Sequence, residues 1–132
     1  APSGLDMLSV GGNQELLKRY SDRPQAVIDE LRIEVRTAVE ELEKMAAIMA
    51  DRLNASQAPC AVLNPLKGWS SLDEKGRDLY DPVADSAFME KLKSLLNINI
   101  SVIDVDLHLN TPEFGEEAVN LFHQLYDNWE KT

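Results

Sequence analysis

Apolar and polar positions follow strand-like periods in four stretches of the chain. Residues 31–36 alternate apolar and charged side chains, which predicts a strand with one buried face. Residues 60–66 are almost continuously apolar, as in a strand covered on both faces. Residues 100–107 alternate again, and a shorter apolar stretch lies within residues 4–12. The pattern therefore predicts three clear strands and a brief one that precedes them.

Between these strands the apolar residues recur three or four positions apart, which predicts helices. Thr37 and Glu40 have the spacing of a capping box, so a helix is expected from Thr37 to about residue 54. Asp81 followed by Pro82 predicts the start of a second helix, and Thr111 predicts the start of a third. A short helix is also expected over residues 14–20.

The predicted order is a strand, a short helix, and then three strands that alternate with three helices. Such alternation favours parallel pairing with helical crossovers. The expected fold class is α/β: a small open, mainly parallel sheet of three to four strands with flanking helices, a Rossmann-like fragment. Residues 1–132 fit a single domain. Because the chain begins at Ala1 without an initiator Met, we expect it to be the carboxyl-terminal portion of a longer two-domain protein.

Charge and composition exclude several classes of function. The formal net charge of -10 argues against nucleic-acid binding, which needs clustered Lys and Arg. No apolar run approaches the roughly 20 residues that span a bilayer, so no membrane partner is expected. Cys60 is the single cysteine, which favours a reducing compartment and a cytoplasmic location. The two histidines, His108 and His123, predict no metal site.

Polar residues follow each predicted strand directly. In an open parallel sheet, ligands bind outside the carboxyl ends of the strands, so these residues would border one crevice. Cations, hydroxyls, an amide and two helix starts together favour a ligand with a phosphate or carboxylate group, such as a small anionic metabolite. The predicted ligand-binding residues are Arg36, Thr37, Lys67, Gly68, Ser70, Ser71 and Asn110.

Two other functions remain open. His108 could act as the acid or base of an enzyme on a phosphorylated or carboxylated substrate, which would make it catalytic. Tyr126 and Trp129 lie on the last predicted helix, where they could support an interaction module and a homo-oligomer. The chain therefore carries three hypotheses: a ligand-binding or regulatory module, an enzyme, and an oligomerisation module.

The two turns also resemble a known family. Residues 68–76 (GWSSLDEKG) and 80–85 (YDPVAD) look like its segment "G-x-S-x-x-D-x-x-G … D-P-x-x-D". Residues 108–114 (HLNTPEF) are similar to its "H-I-N-D-P-x-F", and Arg36-Thr37 with Glu40-Glu41 resembles its "R-T-x-x-E-E". Residues 4–7 (GLDM) resemble an upstream segment. The family is that of the tobamovirus-resistance-protein-like (Tm-one-like) ATP-binding proteins.

The resemblance covers nearly the whole chain and implies a two-domain α/β protein about three times as long. It implies ATP binding mainly through an amino-terminal domain that this chain does not contain, which makes that domain an expected partner. The resemblance adds a nucleotide as a candidate ligand, and the cofactor of the chain itself is left open. The chain departs from the family pattern in two places: residues 28–30 replace an expected His-Asn pair, and Thr111 replaces an Asp. The positions that match the family motifs are Arg36, Thr37, Gly68, Ser70, Asp73, Gly76, His108 and Asn110.

Overall fold

A computed structural model describes residues 1–129, which form two small sheets and four helices. The strands are β1 (Met7–Ser9), β2 (Gln25–Val27), β3 (Ile33–Arg36), β4 (Ala61–Pro65) and β5 (Ser101–Val105). The helices are α1 (Gln14–Arg19), α2 (Val39–Asn54), α3 (Pro82–Leu95) and α4 (Pro112–Trp129). The predicted α/β class is confirmed.

The parallel sheet consists of β4 and β5, which α3 connects. Their register places Ala61 opposite Ser101 and Pro65 opposite Val105. Both strands therefore end at the same edge, as the sequence predicted.

The third predicted strand, β3, pairs differently from the expectation. It lies between β1 and β2 and is antiparallel to both. The physical reason is a tight turn between β2 and β3, in which the Asp29 carboxylate accepts hydrogen bonds from Leu31 N–H at 3.0 Å and Arg32 N–H at 2.9 Å. The turn reverses the chain, so β3 forms a hairpin with β2 and does not extend the parallel sheet.

The predicted cap at Thr37 is wrong. Helix α2 begins at Val39, its N-cap is Ala38, and the Glu41 carboxylate accepts the Ala38 N–H at 3.0 Å. Thr37 instead donates its backbone N–H to the carbonyl of Asp6 at 3.0 Å, which holds it outside the helix.

The other two predicted helix starts are confirmed. The Asp81 carboxylate accepts the Ala84 N–H at 3.0 Å at the start of α3. The Thr111 hydroxyl accepts the Phe114 N–H at 3.3 Å at the start of α4.

The hydrophobic core lies between α2, α3 and β4. Trp69, in the loop after β4, is 1% exposed, and its indole packs edge-on against Phe88 of α3 with 5.2 Å between the ring centroids. The loop that carries the predicted site is therefore attached to the core. The buried cluster contains Leu42, Ala46, Ala50, Val62, Trp69, Ala84, Phe88, Met89 and Leu92.

Helix α4 buries little of its apolar stripe. Phe114 is its one buried residue within the described range, whereas Val119 is 55% and Phe122 62% exposed. The homo-oligomer stays a prediction, and these exposed side chains are in keeping with it. Within residues 1–129, no helix is both long and apolar enough to cross a membrane.

Candidate functional site

The two polar turns meet at the carboxyl edge of the parallel sheet. Backbone hydrogen bonds join Lys67 N–H to Leu107 O at 3.1 Å and Leu109 N–H to Gly68 O at 3.2 Å. They continue the pairing of β4 and β5 beyond the ends of the strands. The proximity predicted from the parallel topology is therefore present in the structure.

His108 fastens one turn to the other. It is 8% exposed, and its Nε2 lies 2.9 Å from the carbonyl oxygen of Ser70, while its Nδ1 accepts the Asn110 N–H at 3.1 Å. A carbonyl oxygen can only accept a hydrogen bond, so Nε2 carries the hydrogen that it donates and Nδ1, which accepts the Asn110 N–H, carries none. Both ring nitrogens are thus engaged with backbone groups, and the geometry supports a positioning role for His108.

Ser70 makes the second connection across the site. Its hydroxyl donates to Asp6 Oδ2 at 2.6 Å and accepts the backbone N–H groups of Leu72 at 3.2 Å and Asp73 at 3.3 Å. His108 contacts the carbonyl of Ser70 and not its hydroxyl. The two residues therefore do not form a nucleophile and base pair.

Gly68 permits an unusually close approach of two backbone segments. Its φ of +124° lies in a region that side chains disfavour. A Cβ at this position would lie 1.6 Å from the carbonyl oxygen of Asp73. The role of Gly68 is thus to close the turn over residues 68–73.

Arg36, at the end of β3, extends beneath this turn and is 3% exposed. Its guanidinium donates to the carbonyls of Leu79 at 3.1 Å and Asp81 at 3.3 Å. It also forms ion pairs with Asp85 and, at 3.5 Å, with Asp73 Oδ1. Both terminal nitrogens are thereby occupied by protein acceptors, and within the described residues only Nε lacks a hydrogen-bond partner.

The buried cluster around Arg36 contains more carboxyl groups than cations. Asp6 and Asp73 are both fully buried. Burial raises the pKa of Asp85 to about 7; Arg36 opposes this shift and Asp73 adds to it. Burial also raises the pKa of Asp6, against the hydrogen bond from Ser70. The cluster therefore stabilises the protonated form of these carboxyl groups, and its excess of carboxyls does not favour a bound anion.

This arrangement predicts a stability that falls as the pH rises. The unfolded chain releases the Asp85 proton near pH 4, whereas the folded chain keeps it to about pH 7. Stabilisation by this group is therefore complete below about pH 4 and is lost through pH 7. We expect the free energy of unfolding to drop by about 2 kcal/mol between about pH 5 and pH 8.

Urea unfolding followed by circular dichroism at several pH values measures this slope. Asp85→Asn should flatten it, and Asp51→Asn, on the exposed face of α2, should leave it unchanged. Equal slopes in both variants would show that another group binds the proton.

The other predicted site residues divide into a buried and an exposed set. Thr37 is 1% exposed, and its hydroxyl has no hydrogen-bond partner within the described residues. Lys67, Ser71 and Asn110 lie exposed on the paired turns. The structure thus brings the buried residues His108, Gly68 and Ser70 together. The exposed residues Lys67, Ser71 and Asn110 form the rim of the paired turns. Whether the rim binds a ligand stays a prediction.

Sequence reasoning missed Asp6 and Asp85 as members of this cluster. Both lie in segments that carried the family resemblance, residues 4–7 and 80–85. The motifs therefore contained both aspartates, but the sequence alone suggested no role for either in the site. Within residues 1–129, no group of three or more His, Cys, Asp or Glu side chains is arranged to hold a metal ion.

With this geometry established, comparison with known proteins gives the family. Residues 1–126 match the family described as "Uncharacterised protein family (UPF0261) C-terminal domain". The chain belongs to the UPF0261 family. The charge cluster around Arg36 and the paired turns are thus features of a UPF0261 C-terminal domain. The resemblance found in the sequence motifs is confirmed.

Curated relatives of this UPF0261 domain come from bacteria and a plant. A UPF0261 protein of Brucella suis is 29% identical over 129 residues, which are 98% of this chain and 30% of that protein. A UPF0261 protein of Rhizobium meliloti is 30% identical over 92% of this chain and 31% of its own length. The ToMV resistance protein Tm-1(GCR237) of Solanum lycopersicum is 33% identical over 92% of this chain and 16% of its own length. The chain thus spans about a third or less of these relatives.

Proposed function

We propose that this domain is a ligand-binding or regulatory module that holds a small anionic or phosphorylated ligand at the paired turns. The observation that carries the proposal is the meeting of the two turns, with His108 bonded to the Ser70 carbonyl at 2.9 Å. This bond fixes the loops that present the rim before any ligand arrives. Preorganisation of this kind lowers the ordering cost of binding.

The rim supplies donors that suit an anion. Lys67 offers an ammonium group, Ser71 a hydroxyl and Asn110 a side-chain amide, all exposed. Lys67 pairs with Asp106 at 3.1 Å, and the side chains are 55% and 81% exposed. An ion pair this exposed contributes little, so a ligand can replace Asp106 at low cost.

Calorimetry with inorganic phosphate, ATP and glucose 6-phosphate tests the proposal. We expect Lys67→Gln to weaken binding about tenfold, because a charge-assisted hydrogen bond is worth roughly 1.5 to 3 kcal/mol. Lys91→Gln, which removes an exposed charge from α3, is the matched control and should bind like the wild type. Equal affinities in the two variants would remove the rim from consideration, as would the absence of binding by all three compounds.

The enzyme hypothesis has less support from the geometry. An acid or base must reach the substrate proton, and both ring nitrogens of His108 already contact backbone groups. Catalysis by His108 therefore stays a prediction. ATP binding by a longer parent protein also stays a prediction, and so does contact between this domain and an amino-terminal domain.

A further inference from the structure

A cavity of about 240 Å³ lies between β4 and α3, beside the buried Arg36 cluster. One wall is a stripe along α3, at the spacing of successive helical turns, and the opposite wall comes from the ends of β4 and β5. Trp69 forms part of the lining. The polar lining residues are Asn64, Asp85, Ser86, Glu90, Lys93 and Asp104.

Carboxylates dominate the charge of this lining. Glu90 and Asp104 each carry a formal negative charge, Asp85 adds a third above its pKa of about 7, and Lys93 carries one positive charge. Lys93 is paired with Asp104 at 2.8 Å, and Arg36 contacts Asp85 from behind the wall. Glu90 has no cationic partner in an ion pair within the described residues, so the cavity keeps an excess of negative charge.

Asn64 is a second and independent sign of a ligand. It is 4% exposed, and its Nδ2 donates to Asp104 Oδ1 at 2.8 Å. Its Oδ1 is buried and has no hydrogen-bond partner within residues 1–129. An unsatisfied buried acceptor costs about 1 to 3 kcal/mol, and a ligand that donates a hydrogen bond would remove that cost.

We propose that this cavity is a binding site for a small primary alkylammonium ion. The ammonium group donates hydrogen bonds to Asn64 and the carboxylates, and the alkyl chain packs against Trp69 and Met89. The volume is somewhat below the usual range for drug-sized ligands and suits a compound of a few carbon atoms.

The chemistry of the lining selects a cation over the alternatives. An anion would meet three carboxyl groups and one ammonium group that is already paired. A neutral alcohol could donate to Asn64 but would leave the negative charge uncompensated. The site differs from the rim of the paired turns in both location and ligand charge.

Tryptophan fluorescence provides a direct test on the 132-residue chain. The sequence has two tryptophans, so Trp129→Phe leaves Trp69 as the single reporter. Titration of this variant with n-butylamine hydrochloride should give a saturable change in emission. Titration with 1-butanol, which has nearly the same shape and no charge, should give none or require at least about tenfold more ligand.

Two isosteric substitutions in this background locate the site. The titrations are run at about pH 8, above the pKa of Asp85. Glu90→Gln removes an exposed charge and should weaken n-butylammonium binding at least about threefold, and Asp85→Asn should weaken it at least about tenfold. Glu43→Gln, on the exposed face of α2, is the charge-matched control and should bind like its parent. The Glu90 variant keeps the test decisive if Asp85→Asn unfolds the chain.

Three results would overturn the proposal. They are equal affinities for n-butylammonium and 1-butanol, equal effects of Glu90→Gln and Glu43→Gln, and no saturation below about 10 mM amine.

Discussion

Gly68→Ala should unfold the chain or lower its free energy of unfolding by more than about 4 kcal/mol. The new Cβ would lie 1.6 Å from the carbonyl oxygen and 2.8 Å from the carbonyl carbon of Asp73. These are backbone atoms, so no side-chain rotation can relieve the overlap. The imidazole Cδ2 of His108, 3.1 Å away, closes the space on another side.

Relief of this overlap requires the turn over residues 68–73 to open. Opening would break the bond between Trp69 N–H and Asp73 Oδ2, which is 2.9 Å long and buried. It would also move Asp73 away from Arg36 and leave both charges buried without each other. A steric overlap at Gly68 therefore also disrupts the buried charge cluster around Arg36.

Urea unfolding with two further glycine variants separates the overlap from other effects. Gly76 has a φ of +90° and no heavy atom within 4 Å of an added Cβ, so Gly76→Ala should cost only about 1 to 2 kcal/mol of backbone strain. Gly115 lies in α4 with open space and no positive φ, so Gly115→Ala should stabilise by about 0.5 to 1 kcal/mol. If Gly68→Ala were no less stable than Gly76→Ala, the close approach would not be essential.

Features that depend on near neighbours in the chain could be predicted from the sequence. The starts of α3 and α4 require only a cap residue and the proline that follows it, Asp81-Pro82 and Thr111-Pro112. The meeting of the two turns follows from the parallel pairing of β4 and β5, because parallel strands end at the same edge. Both predictions are confirmed.

Pairing partners of short strands could not be predicted in the same way. Alternation in residues 31–36 indicates a strand but carries no information about its neighbour. The neighbour β2 has three residues and follows Pro24, so it shows almost no period of its own. The alternation also suggested one exposed face, whereas Glu34 is 9% and Arg36 3% exposed. Polar side chains on β3 are held by partners distant in the chain: Glu34 accepts a hydrogen bond from the Ser9 hydroxyl, and Arg36 pairs with Asp85.

The members of the charge cluster meet only in the folded chain. Asp6 directly precedes β1, Arg36 ends β3, and Asp85 comes from α3. The sequence predicted Arg36 at a strand end, which is correct, but the hairpin directs it under the loop. The guanidinium of Arg36 therefore donates to protein carbonyls and carboxylates. A local sequence pattern cannot predict these contacts, because the partners lie far away in the chain.

Arg36→Met should lower the free energy of unfolding by roughly 3 to 5 kcal/mol at neutral pH. Methionine keeps most of the buried aliphatic volume and removes the charge. Asp73, which is fully buried, and Asp85 would then lie close together without a cation. The carbonyls of Leu79 and Asp81 would also lose their donors at 3.1 and 3.3 Å.

The same substitution elsewhere on the hairpin provides the control. Arg32 pairs with Asp29 at 2.7 Å, but these side chains are 65% and 45% exposed. Solvent screens such a pair, so Arg32→Met should leave the free energy of unfolding nearly unchanged. Urea unfolding of both variants under the same conditions gives the comparison, and similar losses would contradict a special role for Arg36.

The pH dependence of the Arg36→Met defect distinguishes loss of charge from loss of packing. Asp85, with its pKa raised to about 7, already carries a proton at about pH 5 and needs no cation there. The defect should therefore be smaller at about pH 5 than at about pH 8, by about 1 kcal/mol or more. A packing defect would cost the same at both pH values. A defect that grew towards acidic pH would mean that Arg36 does not stabilise ionised carboxylates, and the charge-cluster account would then be wrong.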